Sequence, residues 1–296
     1  MASKVFFHEV APRDGLQNEA TVLGTQEKLE LIRLLLEAKP DSIEVTSFVN
    51  PSKLPQLADA QQLIEGLPPA GSTEYFALVP NRRGFERLLE SKLSGATLLV
   101  SATEEHSQAN VGMSRSQALL ENCTLIQESC AAGVLVRPYV SMAFGCPLGG
   151  EVPALVVQET VSAFAQAGAP FVVLADTWGH ATPQQVEQLL NSVSSVLPME
   201  QIGLHMHDTH GDALANCEKA AEMGVRHFDT SAGGCGGCPF APNSAGNLDT
   251  HSLALRLTEL GYESTLELDA LDRATHFLRG ALAGSLQSDK APHSHD

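Results

Sequence analysis

Two hydrophobic rhythms alternate along this chain. β-rich runs lie near residues 5–10, 42–46, 75–79, 96–101, 134–140, 171–175, 202–207 and 226–230. Amphipathic segments at helical spacing lie near 25–38, 56–65, 82–92, 116–132, 153–167, 183–196 and 211–223. In segment 25–38, Leu29, Ile32, Leu35 and Leu36 share a face, and Glu27, Lys28, Glu30 and Arg33 fall elsewhere. Thr25 with Lys28 makes a partial capping box. Pro183 at a first helical turn, and Gly133, Gly168 and Gly224 near helix ends, fit the usual start and stop chemistry. Eight strands, each followed by a helix, predict a (β/α)8 TIM barrel, with further helices near 247–260 and 267–280. A doubly wound open sheet is the alternative, also parallel. The barrel is preferred because the polar residues at strand ends come from many strands, and only a barrel gathers them all at one face.

Composition narrows the class. The 296 residues are 43% apolar and 18% charged, ordinary for a soluble domain. No apolar run reaches membrane-spanning length. Met1-Ala-Ser-Lys4 leads straight into a strand, without a signal-peptide core, so a cytoplasmic location is expected. A net charge of −17 argues against nucleic acid as a partner. It leaves room for an anionic small molecule, since a metal and a few arginines set the field inside one cleft. The six cysteines are scattered, and most are expected free and buried. One catalytic domain over 1–280 and a disordered tail over 281–296 are expected, with no internal repeat.

The chemistry collects where strands should end. His205 and His207, at i and i+2, aim two imidazoles at one point, a geometry suited to a divalent metal. The alternative is a strand end with two surface histidines. Arg13 and Asp14 follow the first strand and offer a cation fork and a hard oxygen ligand, or only a surface salt bridge. Glu44 ends the second strand and Asp176 follows the sixth. After the eighth comes a loop rich in small residues, Gly233 to Asn247, carrying Cys235 and Cys238. That CxxC lacks a second soft pair for zinc and does not open a helix as a thioredoxin motif would. A redox pairing of the two thiols is a further expectation.

Over residues 4 to 280 the chain resembles the 3-hydroxy-3-methylglutaryl-CoA lyase family, metal-dependent TIM-barrel lyases. The resemblance rests on Pro-Arg13-Asp14-Gly-Leu-Gln-Asn-Glu19, Ile43-Glu44-Val-Thr-Ser47-Phe48-Val49, Gly145-Cys-Pro147, Asp176-Thr177, His205-Met-His207-Asp-Thr and Gly-Gly237-Cys238-Pro239-Phe-Ala with Ala-Gly-Asn247. It implies that Asp14, His205, His207 and Asn247 hold Mg2+ or Mn2+. It implies that Arg13 stabilises a thioester enolate, that Cys238 moves a proton to it, and that Glu44 and Asp176 are acids of the catalytic pocket. His205 or Asp14 is the candidate base. The implied reaction cleaves an acyl-CoA, 3-hydroxy-3-methylglutaryl-CoA or a close 3-alkyl analogue, to acetyl-CoA and a 3-keto acid. The expected setting is leucine degradation and ketone-body chemistry, in a homodimer that meets neither nucleic acid nor membrane. The chain departs from the family pattern at Ala20, Val173, Trp178 and His251, which bears on the acyl substituent. Arg82 and Arg83 are candidates for CoA phosphates or simply a solvated helix start. The alternatives to the lyase are an aldolase or Claisen-type synthase of the same superfamily acting on an α-keto acid, and a non-catalytic metal-binding barrel.

Overall fold

Eight parallel strands follow one another around a ring in chain order. They are β1 (Phe6–Glu9), β2 (Ser42–Ser47), β3 (Glu74–Leu78), β4 (Gly95–Ser101), β5 (Leu135–Ser141), β6 (Val172–Asp176), β7 (Ile202–Met206) and β8 (His227–Thr230). β8 pairs back onto β1, from Phe6 beside His227 to Glu9 beside Thr230. That pairing closes the barrel and removes the open-sheet alternative, whose two edges would stay apart. The structure is a computed structural model that describes residues 3–236 and 246–284.

Strand alternation divides the core in two. On β6, Val172 and Leu174 face outward onto the helices, while Val173 and Ala175 pack with Tyr139, Leu99 and Phe171 in a separate inner cluster. Helices cover the outer face, so the strands are mostly buried, as a parallel sheet requires, with Glu74 and Leu135 at strand starts exposed. Glu9 latches the closure. Its Oε1 accepts from the amides of Ala11 and Ala232, both at 2.9 Å. Its Oε2 accepts from the Thr250 hydroxyl, also at 2.9 Å. One carboxylate thus joins β1, the turn after β8 and helix Thr250–Glu259.

Four local expectations are corrected. Helix Thr25–Glu37 buries Lys28, Leu31, Ile32 and Leu35, while Leu29 and Leu36 sit at the margin. Lys28 is inside because its Nζ finds Asp59 Oδ1 at 2.6 Å and the Gln56 carbonyl at 2.5 Å. The start of that helix is capped by Gly24, whose amide donates to Glu27 at 2.7 Å, so Thr25 is already helical. Helix Glu104–Val111 has little apolar periodicity and was not expected. Thr103 caps its start, and Gly112, in the left-handed region at φ 71°, ends it. The last helix runs Leu268–Leu282; the rest of the expected tail, 285–296, lies outside the described residues. No helix among the described residues is long and apolar enough to cross a membrane.

Candidate active site

A tight turn carries the first two site residues. Pro12 opens the segment Ala11–Gly15, and the amides of Arg13, Asp14 and Gly15 all converge on the Val10 carbonyl. Arg13 and Asp14 are thereby buried at the C-terminal end of the barrel. His205 lies on β7 and His207 one residue beyond it, on the same face. Ligand atoms of Asp14, His205 and His207 all fall within 4.8 Å of one another, and all three residues are buried. Asn247 joins by a bridge to His207, with its Nδ2 2.9 Å from Asp14 Oδ2.

The donor set fits a divalent ion. Nε2 of His205 and Nε2 of His207 lie 3.8 and 3.6 Å from Asp14 Oδ2. Those separations are long for direct hydrogen bonds but suit groups converging on one point. A carboxylate, two imidazoles and an amide, which a half-turn aims by oxygen instead of nitrogen, form the mixed set that Mg2+ or Mn2+ accepts. Burial works against ionisation of Asp14, yet Arg13, then His207 and His205, hold its carboxyl well below the usual range.

Beneath this cluster lies a layer the sequence reading missed. Asp229 on β8 accepts from His205 Nδ1 at 3.3 Å, from Arg137 Nη2 at 2.6 Å and from the Tyr139 hydroxyl. The bond to Asp229 fixes the His205 proton on Nδ1 and leaves Nε2 free to face Asp14. Burial opposes the Asp229 charge, but Arg137 first and His205 next keep its carboxyl far below the usual range. Desolvation alone would lower His205; the Asp229 bond, followed by Asp14, outweighs it and raises the imidazole. The available signal was an arginine and an acid inside strand runs, at Arg137 and Asp229, where burial demands a partner.

Glu44 lies in the middle of β2, beside a register shift, not at the strand end. Its Oε2 takes Arg13 Nε at 2.8 Å and Nη2 at 2.6 Å, so it aims the guanidinium. Asp176 is the last residue of β6, and its carboxylate turns to its own loop, accepting from the amides of Gly179 at 2.9 Å and Ala181 at 2.7 Å. Cys238 lies outside the described residues, and with it any pairing to Cys235. Cys235 itself leans on the β1 turn, its Sγ 3.4 Å from the Gly15 carbonyl and 3.6 Å from Glu19 Oε1. The five described cysteines are free, but only Cys146 and Cys217 are buried, Cys123 and Cys235 being half-buried and Cys130 exposed, against the expectation that most are buried.

The departures from the family pattern sort by position. His251 turns away to Asp272 at 2.6 Å on the final helix. Val173 is inside the barrel, against Tyr139. Arg82 is engaged by Glu128 at 2.8 Å on the outer surface, so neither it nor Arg83 lines the cavity. That cavity, about 590 Å³, runs from Asp14, His205 and His207 to Lys53 after β2 and to His106 and Asn110 on helix Glu104–Val111. Arg13 and Lys53 are its two lysine or arginine cations.

Comparison with known proteins agrees with this geometry. The chain is 38% identical over 285 residues to hydroxymethylglutaryl-CoA lyase YngG of Bacillus subtilis, covering 96% of this chain and 95% of that one. It is 35% identical over 282 residues to the human mitochondrial hydroxymethylglutaryl-CoA lyase, covering 95% and 87%. The crystal structure of HMG-CoA lyase from Brucella melitensis superposes with a TM-score of 0.93 at 36% identity, covering 95% of this chain and all of that one. An HMG-CoA lyase of Acinetobacter baumannii, solved with coenzyme A and 3-methylmalate, gives a TM-score of 0.89 at 33% identity, covering 99% and 97%. The HMGL-like family model matches residues 4–278, and the chain belongs to that family.

Proposed function

We propose that this chain cleaves 3-hydroxy-3-methylglutaryl-CoA to acetyl-CoA and acetoacetate with a bound Mg2+ or Mn2+. The observation that carries the reading is the buried convergence of Asp14, His205 and His207 beside Arg13, in the lining of a cavity of about 590 Å³. That volume has room for the acyl end of the thioester, and Lys53 is a cation in its lining. Asp14, His205, His207 and Asn247 would hold the ion, which supplies Lewis acidity at the carbinol oxygen and so lowers the pKa of that hydroxyl.

The rest falls to the protein. Asp229 occupies Nδ1 of His205, so Nε2 is the lone pair that this ring turns to the site. Asp14 or His205 accepts the carbinol proton; Arg13 keeps Asp14 ionised, which also makes it the weaker base of the two. The Cα–Cβ bond then breaks and its electrons pass into the thioester enolate. Arg13, clamped by Glu44, meets the negative charge on that oxygen without reorganising. Cys238 carries the proton that quenches the enolate; this role rests on the family resemblance. Asp176 serves by ordering the loop after β6.

The test is a cleavage assay with several 3-hydroxy-3-alkylglutaryl-CoA thioesters, with and without Mg2+ or Mn2+. Acetoacetate released from the methyl compound only when metal is present supports the reading. Condensation of acetyl-CoA with an α-keto acid and no cleavage would replace it with the synthase.

A further inference from the structure

Outside this centre, two more imidazoles meet. His180 is on the loop after β6 and His210 on the turn after β7; both are exposed, and their Nε2 atoms lie 2.6 Å apart. The indole of Trp178 meets His180 at a ring separation of 3.8 Å, the planes tilted by 35°. His210 meets the same imidazole edge-on, also at 3.8 Å.

The juxtaposition is fixed by the backbone on both sides. Gly179 has φ 72°, and a Cβ there would lie 2.9 Å from the Thr209 backbone nitrogen, so only glycine lets the loops touch. The two amides that bind the Asp176 carboxylate, from Gly179 and Ala181, flank His180. The turn bearing His210 is closed by Gly211 N to the Asp208 carbonyl at 3.1 Å and by Ala213 N to Asp208 Oδ1 at 3.0 Å.

We propose that His180 and His210 form a second metal site, which takes a divalent transition ion such as Zn2+, Ni2+ or Cu2+. Imidazole nitrogens without a carboxylate between them suit these ions better than Mg2+. With bonds near 2.0–2.1 Å, two nitrogens on one tetrahedral ion stand about 3.4 Å apart. The exposed rings need to separate by less than 1 Å, roughly, to admit it. In the ion-free pair one ring donates its Nε2 proton to the other. Binding moves that proton to Nδ1 of the same ring and frees both lone pairs, with no net proton change. His180 is ready for this at neutral pH: partial desolvation and then His210 lower its pKa, against Asp176. An ion here ties the Asp176 loop to the strand end that carries His207.

The chain holds a single tryptophan, and its ring lies in close, tilted contact with His180, so the site reports on itself. Cu2+, a paramagnetic probe, is titrated into the full-length protein in excess Mg2+ while Trp178 fluorescence is followed. Saturable quenching is expected. His210→Ala, which leaves the Trp178–His180 contact in place, weakens it by about tenfold or more, at least the loss that removing an outer-shell partner brings. His180→Ala weakens it similarly. His207→Ala, in the first centre, leaves it unchanged. Quenching that is unsaturable, survives His210→Ala, or disappears in His207→Ala overturns the proposal.

Discussion

Arg13 shows how much one side chain does here. It is buried, bonded through three nitrogens to Glu44 and Asp14, and cannot leave its place without stranding both carboxylates. Arg13→Lys keeps a charge but loses the planar fork. Turnover is expected to fall by about 10²–10³, with KM little changed. Steady-state kinetics check this; a normal kcat with only a raised KM contradicts it. Asp229 acts through His205. Asp229→Asn removes the anionic acceptor from Nδ1, and the apparent affinity for Mn2+ is expected to fall by about 10–100-fold. Excess Mn2+ then restores part of the turnover. A variant that only melts earlier, with unchanged metal dependence, would show that Asp229 merely packs.

At the scale of elements, the barrel is joined where its first and last strands meet, and Glu9 holds that seam. Burial raises its pKa to about 7, opposed by the amides of Ala11 and Ala232 and the Thr250 hydroxyl, with Asp249 adding to the rise. Glu9→Gln replaces one acceptor oxygen by a donor and faces it with a backbone amide or the Thr250 hydroxyl. The expected cost is about 1–3 kcal/mol, the usual result of a buried polar group left unsatisfied. Urea unfolding measures it. Because the latch also holds helix Thr250–Glu259, next to Asn247, metal affinity should weaken in the same variant.

Across the whole molecule, stability is expected to depend on the floor of the barrel as pH falls. His227 stacks on Phe6 and sits 3.0 Å from His8 Nε2. Burial first and Arg137 second lower its pKa to about 4, against Asp229. The unfolded chain takes up this proton near the ordinary value of 6.5, while the folded protein refuses it until about 4. Stability is therefore whole above pH 6.5 and declines as pH falls towards 4, by about 3 kcal/mol at most. His227→Asn keeps a hydrogen-bonding group beside His8 and removes the titration. Its urea midpoint should fall less steeply than the parent's between those pH values; equal slopes would assign the acid sensitivity elsewhere.

The sequence by itself determined the order of the strands and of the helices between them, helix Glu104–Val111 apart, and so favoured a barrel that the pairing of β8 with β1 then closed. Alternation and helical spacing are local properties, set by the backbone whatever the neighbours. It also determined the pairing of His205 with His207, because residues two apart on a strand share a face. Their convergence with Asp14 was legible from position, since barrel strands all end at one face. Only the tertiary structure decided which distant side chains meet inside. Asp229 reaches Arg137, Tyr139 and His205 because β5, β7 and β8 turn those residues into one lumen, and closure and strand tilt, not spacing, set that register. The same holds for Lys28, charged but buried because Asp59 stands opposite it, and for Asp176, whose carboxylate its own loop takes up. The meeting of His180 and His210 is likewise tertiary: it depends on one glycine that lets two loops touch.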